Sequence, residues 1–399
     1  MRDLTAVGVS VLIVVALGVV PAAGGELGGS SATVTGASGV DAAQETCSYP
    51  LTVTDATGTE VTVEEEPQRI VTLAPSAAQT LWAFNASDKV VGVSVFADYL
   101  AGASDRETVR DFDGVKTETI VGLEPDLVIA PDVVSDETVD QLRSSGLTVY
   151  KVNASANFED VYAKTERIGA LSGECAAADA TVADMRERIT AIENAVEDEE
   201  RPGALYTFYG FTTGSDTFIH SVITTAGLTN VAAEAGITGF TTEPLNPEVV
   251  ANNSENIEWL IVNSNPGSHP SNLDSSDVYN GTYAAQNGQT VTVNEDYLNQ
   301  PGPYTVRALE NLTQAVRPEA YEEAQTALEP TPTATAEPTA TDTETAESMM
   351  TPTATPGEMG GDTPDQTDDP ATSENGPGFT AAVGVLAVLA AALFARRRP

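Results

Sequence analysis

Positive charge is what this chain lacks most. It sets 18 lysines and arginines against 59 aspartates and glutamates over 399 residues, a formal net charge of −41. Lys89, Lys116, Lys151 and Lys164 are its only lysines. Such a field repels nucleic acid and anionic membranes, which excludes both as partners. A carboxylate-rich, lysine-poor surface suits molar salt, where repulsion is screened within about 3 Å, so the composition points to an extreme halophile, with a merely acidic mesophile protein as the alternative. Histidine is as scarce: His220 and His269 are the whole supply, both in the second half. A bare zinc or manganese site shared between two lobes draws His and carboxylate ligands from each, and the first half offers no His. No nucleophile-elbow motif occurs either, so catalysis is not expected.

What is present is organised from the ends inward. Residues 1–23 hold one early Arg2, an apolar run from Ala6 to Val20 and small residues after it. That is the pattern of a secretory signal peptide, and the run is too short for a membrane span of about 20 residues. Residues 24–46, rich in Gly, Ser, Ala and Thr, read as a flexible linker. Residues 326–376 form a Thr/Pro/Glu-rich stretch that builds no core and reads as a disordered stalk. In residues 377–399, "PGF" leads into the apolar "FTAAVGVLAVLAAALF" and then three arginines. An uncleaved membrane helix with its arginines inside fits this end as well. Either way the folded part faces outward.

Outward placement makes the cysteines readable. Cys47 and Cys175 are the only pair, and in an oxidising compartment an isolated pair is expected to bridge rather than bind metal. The "QET" before Cys47 lacks the small and apolar residues of a bacterial lipoprotein cleavage site. Sequons stand at Asn85, Asn153, Asn252, Asn280 and Asn311, all candidates for surface glycosylation.

Between them the chain alternates strand-like and helix-like segments, the pattern of α/β lobes. "YPLTVTDATGTEVTVEEEPQRIVTL" opens with a hairpin and enters a first parallel strand at Arg69–Thr72. "LAPSAAQTLW" then opens a helix at once, with Ser76 expected to cap it. "TETIVGLEPDLVIAP" gives helix, turn and buried strand, and "LNPEVVANNSENIEWLIVNSNP" echoes it in the second half. From Glu174 to Glu200 there is almost no helix breaker, and Val182, Met185, Ile189, Ile192 and Val196 fall on one helical stripe. The expected division is a first lobe at 47–172, a linking helix at 173–200 and a second lobe at 201–325.

Taken together, "PQRIVTLAPSAAQTLWAF", "DKVVGVSVFADY", "LEPDLVIAP", the long helix, "FIHSVITTAGLTNVA" and "NQPGPYTVRALENLTQAVRPEAY" resemble the helical-backbone solute-binding proteins of ABC importers. That resemblance implies two α/β lobes joined by a single long helix, a ligand cleft between them, and capture of cobalamin, a ferric siderophore or haem for a membrane permease and its ATPase. A non-transport sensing or adhesion protein on the same fold is the alternative. The C-terminal end resembles the PGF-type sorting signal of haloarchaeal surface proteins, which implies archaeosortase cleavage and a lipid anchor on the outer face of the membrane. Ligand contacts are expected where strands end and helices begin. These are Pro75, Ser76, Ala77, Tyr99 and Phe112 in the first lobe, and Tyr209, Gly210, Phe211, Phe218 and Tyr304 in the second. Aromatics there suit a flat or macrocyclic ligand; Trp82 and Trp259 fall in core patterns. Arg106 and Arg110 are candidates for an anionic chelate, although pairing with nearby carboxylates is the commoner fate. His220 and Tyr99 are the candidates for haem iron. The family often places a permease-docking Glu where this chain has Gln79, and Ser221 stands at the matching place in the second half.

Overall fold

The computed structural model describes residues 47–270 and 276–329. The expected signal peptide, linker and C-terminal sorting segment lie outside the described residues, as does the stalk beyond residue 329.

The first lobe begins with a hairpin, β1 (Leu51–Thr54) and β2 (Glu60–Val63). Alternation buries Val53, Val61 and Val63, as a strand with one wet face requires. A six-stranded sheet follows, built from β3 (Ile70–Thr72), β4 (Val90–Ser94), β5 (Glu107–Asp111), β6 (Gly114–Val115), β7 (Leu127–Ala130) and β8 (Val149–Lys151). Its order is β6-β5-β4-β3-β7-β8, parallel except for β6. The central strands are apolar without alternation because helices cover both faces. Those helices are α1 (Pro75–Ala83), α2 (Thr117–Gly122), α3 (Asp136–Ser144) and α4 (Phe158–Ser172). The Ser135 side chain caps α3 by accepting from the Thr138 N–H at 3.2 Å, and Asn157 caps α4 in the same way.

The linking helix α5 spans Cys175–Ala195, 21 residues and about 31 Å. It is shorter than the 173–200 expected from sequence. Gly173, at φ +86°, ends α4 in the left-handed region, and the chain turns there into α5. Val182, Met185, Ile189 and Ile192 are buried in the second lobe's core, while Ala178 joins the first lobe's. One stripe thus serves both lobes. Cys47 and Cys175 are bridged, with Cα atoms 5.5 Å apart, tying the start of the described chain to the start of α5.

The second lobe contains β9 (Gly203–Thr207), α6 (Phe218–Thr225), β10 (Thr229–Asn230), α7 (Val231–Glu234), α8 (Pro247–Asn252) and β11 (Trp259–Asn263). After these come α9 (Ser276–Asn280), α10 (Tyr283–Asn287), β12 (Thr290–Val293), α11 (Glu295–Leu298), α12 (Thr305–Val316) and α13 (Pro318–Leu328). Its four strands run β10-β9-β11-β12, all parallel. The echo seen in sequence is structural: α2–β7 and α8–β11 each place a strand beside the lobe's first parallel strand. Both α12 and α13 pack on α5, so the strut is braced along its length. Helix α13 runs to Leu328, three residues past the boundary expected for the stalk.

Candidate functional site

In open α/β sheets ligands sit outside the carboxyl ends of the strands. Here those ends come together across the seam between the lobes. Gln79 on α1 is the centre of the seam and is 0% exposed. Its Nε2 donates to the Tyr99 hydroxyl at 3.0 Å and to the Asp296 carbonyl at 3.4 Å, and its Oε1 accepts from the Tyr304 N–H at 2.9 Å. An ideal Cβ on Gly302 would lie 2.6 Å from Gln79 Oε1, so only glycine lets the loop come this close. The Lys164 ammonium, on α4, donates to the Pro301 carbonyl of the same loop. Burial pulls its pKa down to about 8, against Asp132 and Asp160, which raise it. In the second lobe the Tyr206 hydroxyl donates to Asn299 Oδ1 at 3.0 Å and holds the exit of α11.

Three carboxylates face one another at this seam: Asp98 after β4, and Glu295 and Asp296 after β12. Burial first, then Asp296 and Asp98, raise Glu295 to about 7. Burial and Asp98 raise Asp296 to about 6. Burial also pushes the Tyr99 phenol up, with the Gln79 hydrogen bond opposing it. Among the described residues no group of three His, Cys, Asp or Glu side chains is placed to hold a metal ion.

Aromatic side chains pair near the strand ends of both lobes. In the first lobe Phe96 and Phe112 meet edge to face at 5.1 Å, and Arg110 lies 5.9 Å over Phe96. In the second, Phe208 and Tyr209 meet at 4.8 Å, and Tyr297 and Tyr304 at 5.9 Å. Arg307 stacks 4.0 Å over Tyr304. Tyr209 takes a positive φ of 49°, and its hydroxyl is buried with no partner among the described residues. Gly210 follows at φ +81° and accepts the Leu245 N–H through its carbonyl. Phe211 pairs back onto Phe208 as an isolated bridge.

Several sequence expectations are corrected. Ala74, not Ser76, is the N-cap of α1, and no side chain caps it; the Ser76 carbonyl accepts from Thr80 Oγ1 at 2.9 Å. Pro75, Ser76 and Ala77 are all buried, and the loop around Gly302 lies over this turn. The helix N-terminus is therefore covered, not open to a ligand. Gln79 is no rim residue either: burial removes it from any docking surface, because both ends of its amide are spent between the lobes. Ser221 is half-buried and donates to the Ala156 carbonyl at 3.3 Å. Phe218 is 3% exposed and stacks on Phe158 at 5.6 Å, so it is core. Arg106 bonds the Ser87 carbonyl at the opposite edge of the sheet. His220 lies beside Asn230, and the structure does not bring it to Tyr99. Trp82 and Trp259 pack against the cores, as their patterns predict.

Sequence reasoning missed Phe96, Lys164, Glu295, Asp296, Tyr297 and Asn299. The strand-end rule, applied to the exits of β4 and β12, would have flagged all but Lys164. Nothing local marks Lys164, whose partner lies 137 residues away. Two surface crevices, of about 460 and 360 Å³, run along α5 and α6 and contain none of these residues.

Two parallel-sheeted lobes, a helical strut and an aromatic seam at the strand ends define a two-lobed binding protein of the periplasmic type. The chain belongs to the periplasmic binding protein family, whose sequence pattern matches residues 70–297. It is 40% identical over 280 residues to a cobalamin-binding protein of Halobacterium salinarum, covering 68% of this chain and 76% of that one. It is 28% identical over 296 residues to an uncharacterized ABC transporter substrate-binding lipoprotein of Bacillus subtilis, covering 71% and 90%. Among solved structures, the vitamin B12-binding protein BtuF of Vibrio cholerae shares the fold, with a TM-score of 0.54 and 22% identity over 65% of this chain and 98% of that one.

Proposed function

We propose that this chain is the extracellular substrate-binding component of an ABC importer, that its cargo is a cobalamin-type corrinoid, and that it delivers this cargo to a membrane permease driven by an ATPase. The observation that carries the reading is the 40% identity to a cobalamin-binding protein over 280 residues. The seam supports it. Phe96, Phe112, Tyr209, Tyr297 and Tyr304 supply ring faces and edges from both lobes, which suits a large planar macrocycle held by stacking and burial. The ligand is carried and not transformed. In the same reading an archaeosortase cleaves near the PGF motif at 377–379 and a lipid that replaces the tail anchors the folded part to the outer face of the membrane.

Thermal unfolding in molar salt tests it, with cyanocobalamin, haem and a ferric hydroxamate siderophore as probes. A ligand at 100 times its dissociation constant adds about 2.7 kcal/mol. Cyanocobalamin is expected to raise the transition most; no shift with cyanocobalamin sinks the corrinoid reading.

A further inference from the structure

Arg110 is the fourth residue of β5 and pairs in register with Ser94 at the end of β4. Its side chain therefore stands at the carboxyl edge of the first lobe's sheet. It is 8% exposed. Buried arginines are ordinarily neutralised by a carboxylate, because an uncompensated charge in low dielectric is costly. In this chain acids outnumber bases threefold, yet among the described residues no carboxylate lies within ion-pair distance of Arg110. The one oxygen that accepts from it is the Leu73 carbonyl, at 3.0 Å from Nη1. Burial lowers its pKa, and no neighbouring acid counters that. Every other arginine near an aromatic ring sits on the surface or in an ion pair: Arg186 with Glu159, and Arg307 exposed on Tyr304.

The surroundings give this charge a direction. The guanidinium lies over Phe96, whose ring meets Phe112 edge to face. Phe112 is 48% exposed, a large apolar ring left open to solvent and not packed into the core. A planar ligand lying on Phe112 brings its edge substituents to the guanidinium. We infer that Arg110 is the counter-charge for an anionic substituent of the bound ligand, which in a cobalamin is the phosphodiester joining the ring's side chain to the ribose of the nucleotide loop. This rests on the corrinoid reading and deepens it. The fork of N–H donors in arginine matches two oxygens of a phosphodiester, and a contact that replaces no existing ion pair is not offset by breaking one.

Cobinamide keeps the corrin ring but lacks the nucleotide loop and its phosphodiester, so it separates ring stacking from anion recognition. Titrations of the wild-type protein, Arg110→Gln and Arg110→Lys with cyanocobalamin and with cobinamide, in molar salt, read the ratio of the two affinities. The expected result is a wild type that prefers cyanocobalamin and an Arg110→Gln whose cyanocobalamin affinity falls about 10- to 100-fold while cobinamide changes by less than about threefold. Arg110→Lys, with its charge kept and its fork lost, is expected to fall between them. Any general damage from the lost Leu73 bond lowers both affinities and leaves the ratio unchanged. An unchanged ratio in Arg110→Gln overturns the inference and leaves the corrinoid reading standing. A wild type that binds neither corrinoid overturns both.

Discussion

The Gln79 side chain and the Tyr304 backbone N–H, 225 residues apart in sequence, form a 2.9 Å hydrogen bond that closes the seam between the lobes. The other end of the same amide reaches Tyr99 and the Asp296 carbonyl, so one neutral side chain satisfies both lobes at once. A carboxylate at this position would meet Asp98, Glu295 and Asp296 and could not donate. The glutamine is thus matched to its acidic surroundings.

Gln79→Ala leaves the Tyr304 N–H and the Asp296 carbonyl without their partner. Each orphaned buried group costs about 1–3 kcal/mol, so the variant is expected to unfold about 2–4 kcal/mol more easily in urea. Gln79→Glu is expected to be less stable than wild type at pH 8 and closer to it at pH 5. An unchanged urea midpoint for Gln79→Ala would show that the bond does not hold the seam.

The seam acids predict a pH dependence. Glu295 and Asp296 are raised to about 7 and about 6 in the folded protein, above the ordinary carboxylate range near 4. The folded state therefore binds more protons than the unfolded state between about pH 4 and 7, and linkage makes their contribution fall as pH rises through that window. The groups facing them are Asp98, Tyr99, Tyr206, Tyr209, Tyr297 and Tyr304, with Arg307 on the rings beyond. The double variant Glu295→Gln, Asp296→Asn is expected to gain stability over wild type as pH goes from 5 to 8. Parallel pH profiles for the two proteins would rule this out.

Phe112 and Phe218 look alike in sequence and differ in the fold. Phe218→Ala empties a packed core position and is expected to cost about 3–5 kcal/mol in denaturant unfolding. Phe112→Ala is expected to leave stability within about 0.5 kcal/mol and to weaken cyanocobalamin binding about tenfold. A Phe112→Ala protein that binds as tightly as wild type removes this ring from the site.

The sequons divide by what their hydroxyls do. The asparagines of all five motifs are exposed, but the hydroxyls of Ser155, Thr282 and Thr313, in the motifs at Asn153, Asn280 and Asn311, are buried. Asn85 and Asn252 are exposed, with half-exposed serines at Ser87 and Ser254. Both lie at helix C-terminal ends, at the sheet edge away from the cleft. Glycopeptide mass spectrometry of protein from a halophilic host is expected to find sugar on Asn85 and Asn252; sugar confined to the other three would contradict it.

Removing the Cys47–Cys175 bridge opens a 128-residue loop. The chain-entropy argument puts its contribution at about 4–5 kcal/mol. The double serine variant is expected to show an unfolding free energy in urea lower by a comparable amount, and a midpoint equal to wild type would mean the bridge constrains nothing.

Periodicity, charge and spacing were enough for the two α/β lobes, the α5 stripe, the Ser135 cap and the α2–β7 echo, because each of these depends on residues near one another in the chain. The cysteine pair was readable for a different reason: with only two cysteines in the chain there is one internal bridge to form. The strand-end rule also named Tyr99, Phe112, Tyr209 and Tyr304 as candidates. Burial was not readable at the seam. Whether Gln79 faces a partner or a loop depends on where Gly302 and Tyr304 return after more than 200 residues, and whether Arg110 finds a carboxylate depends on three strands that meet only in the sheet. Sequence fixes which side chains a local element carries; the packing of distant elements decides which of them stay wet, and with that their charge, their partners and their use.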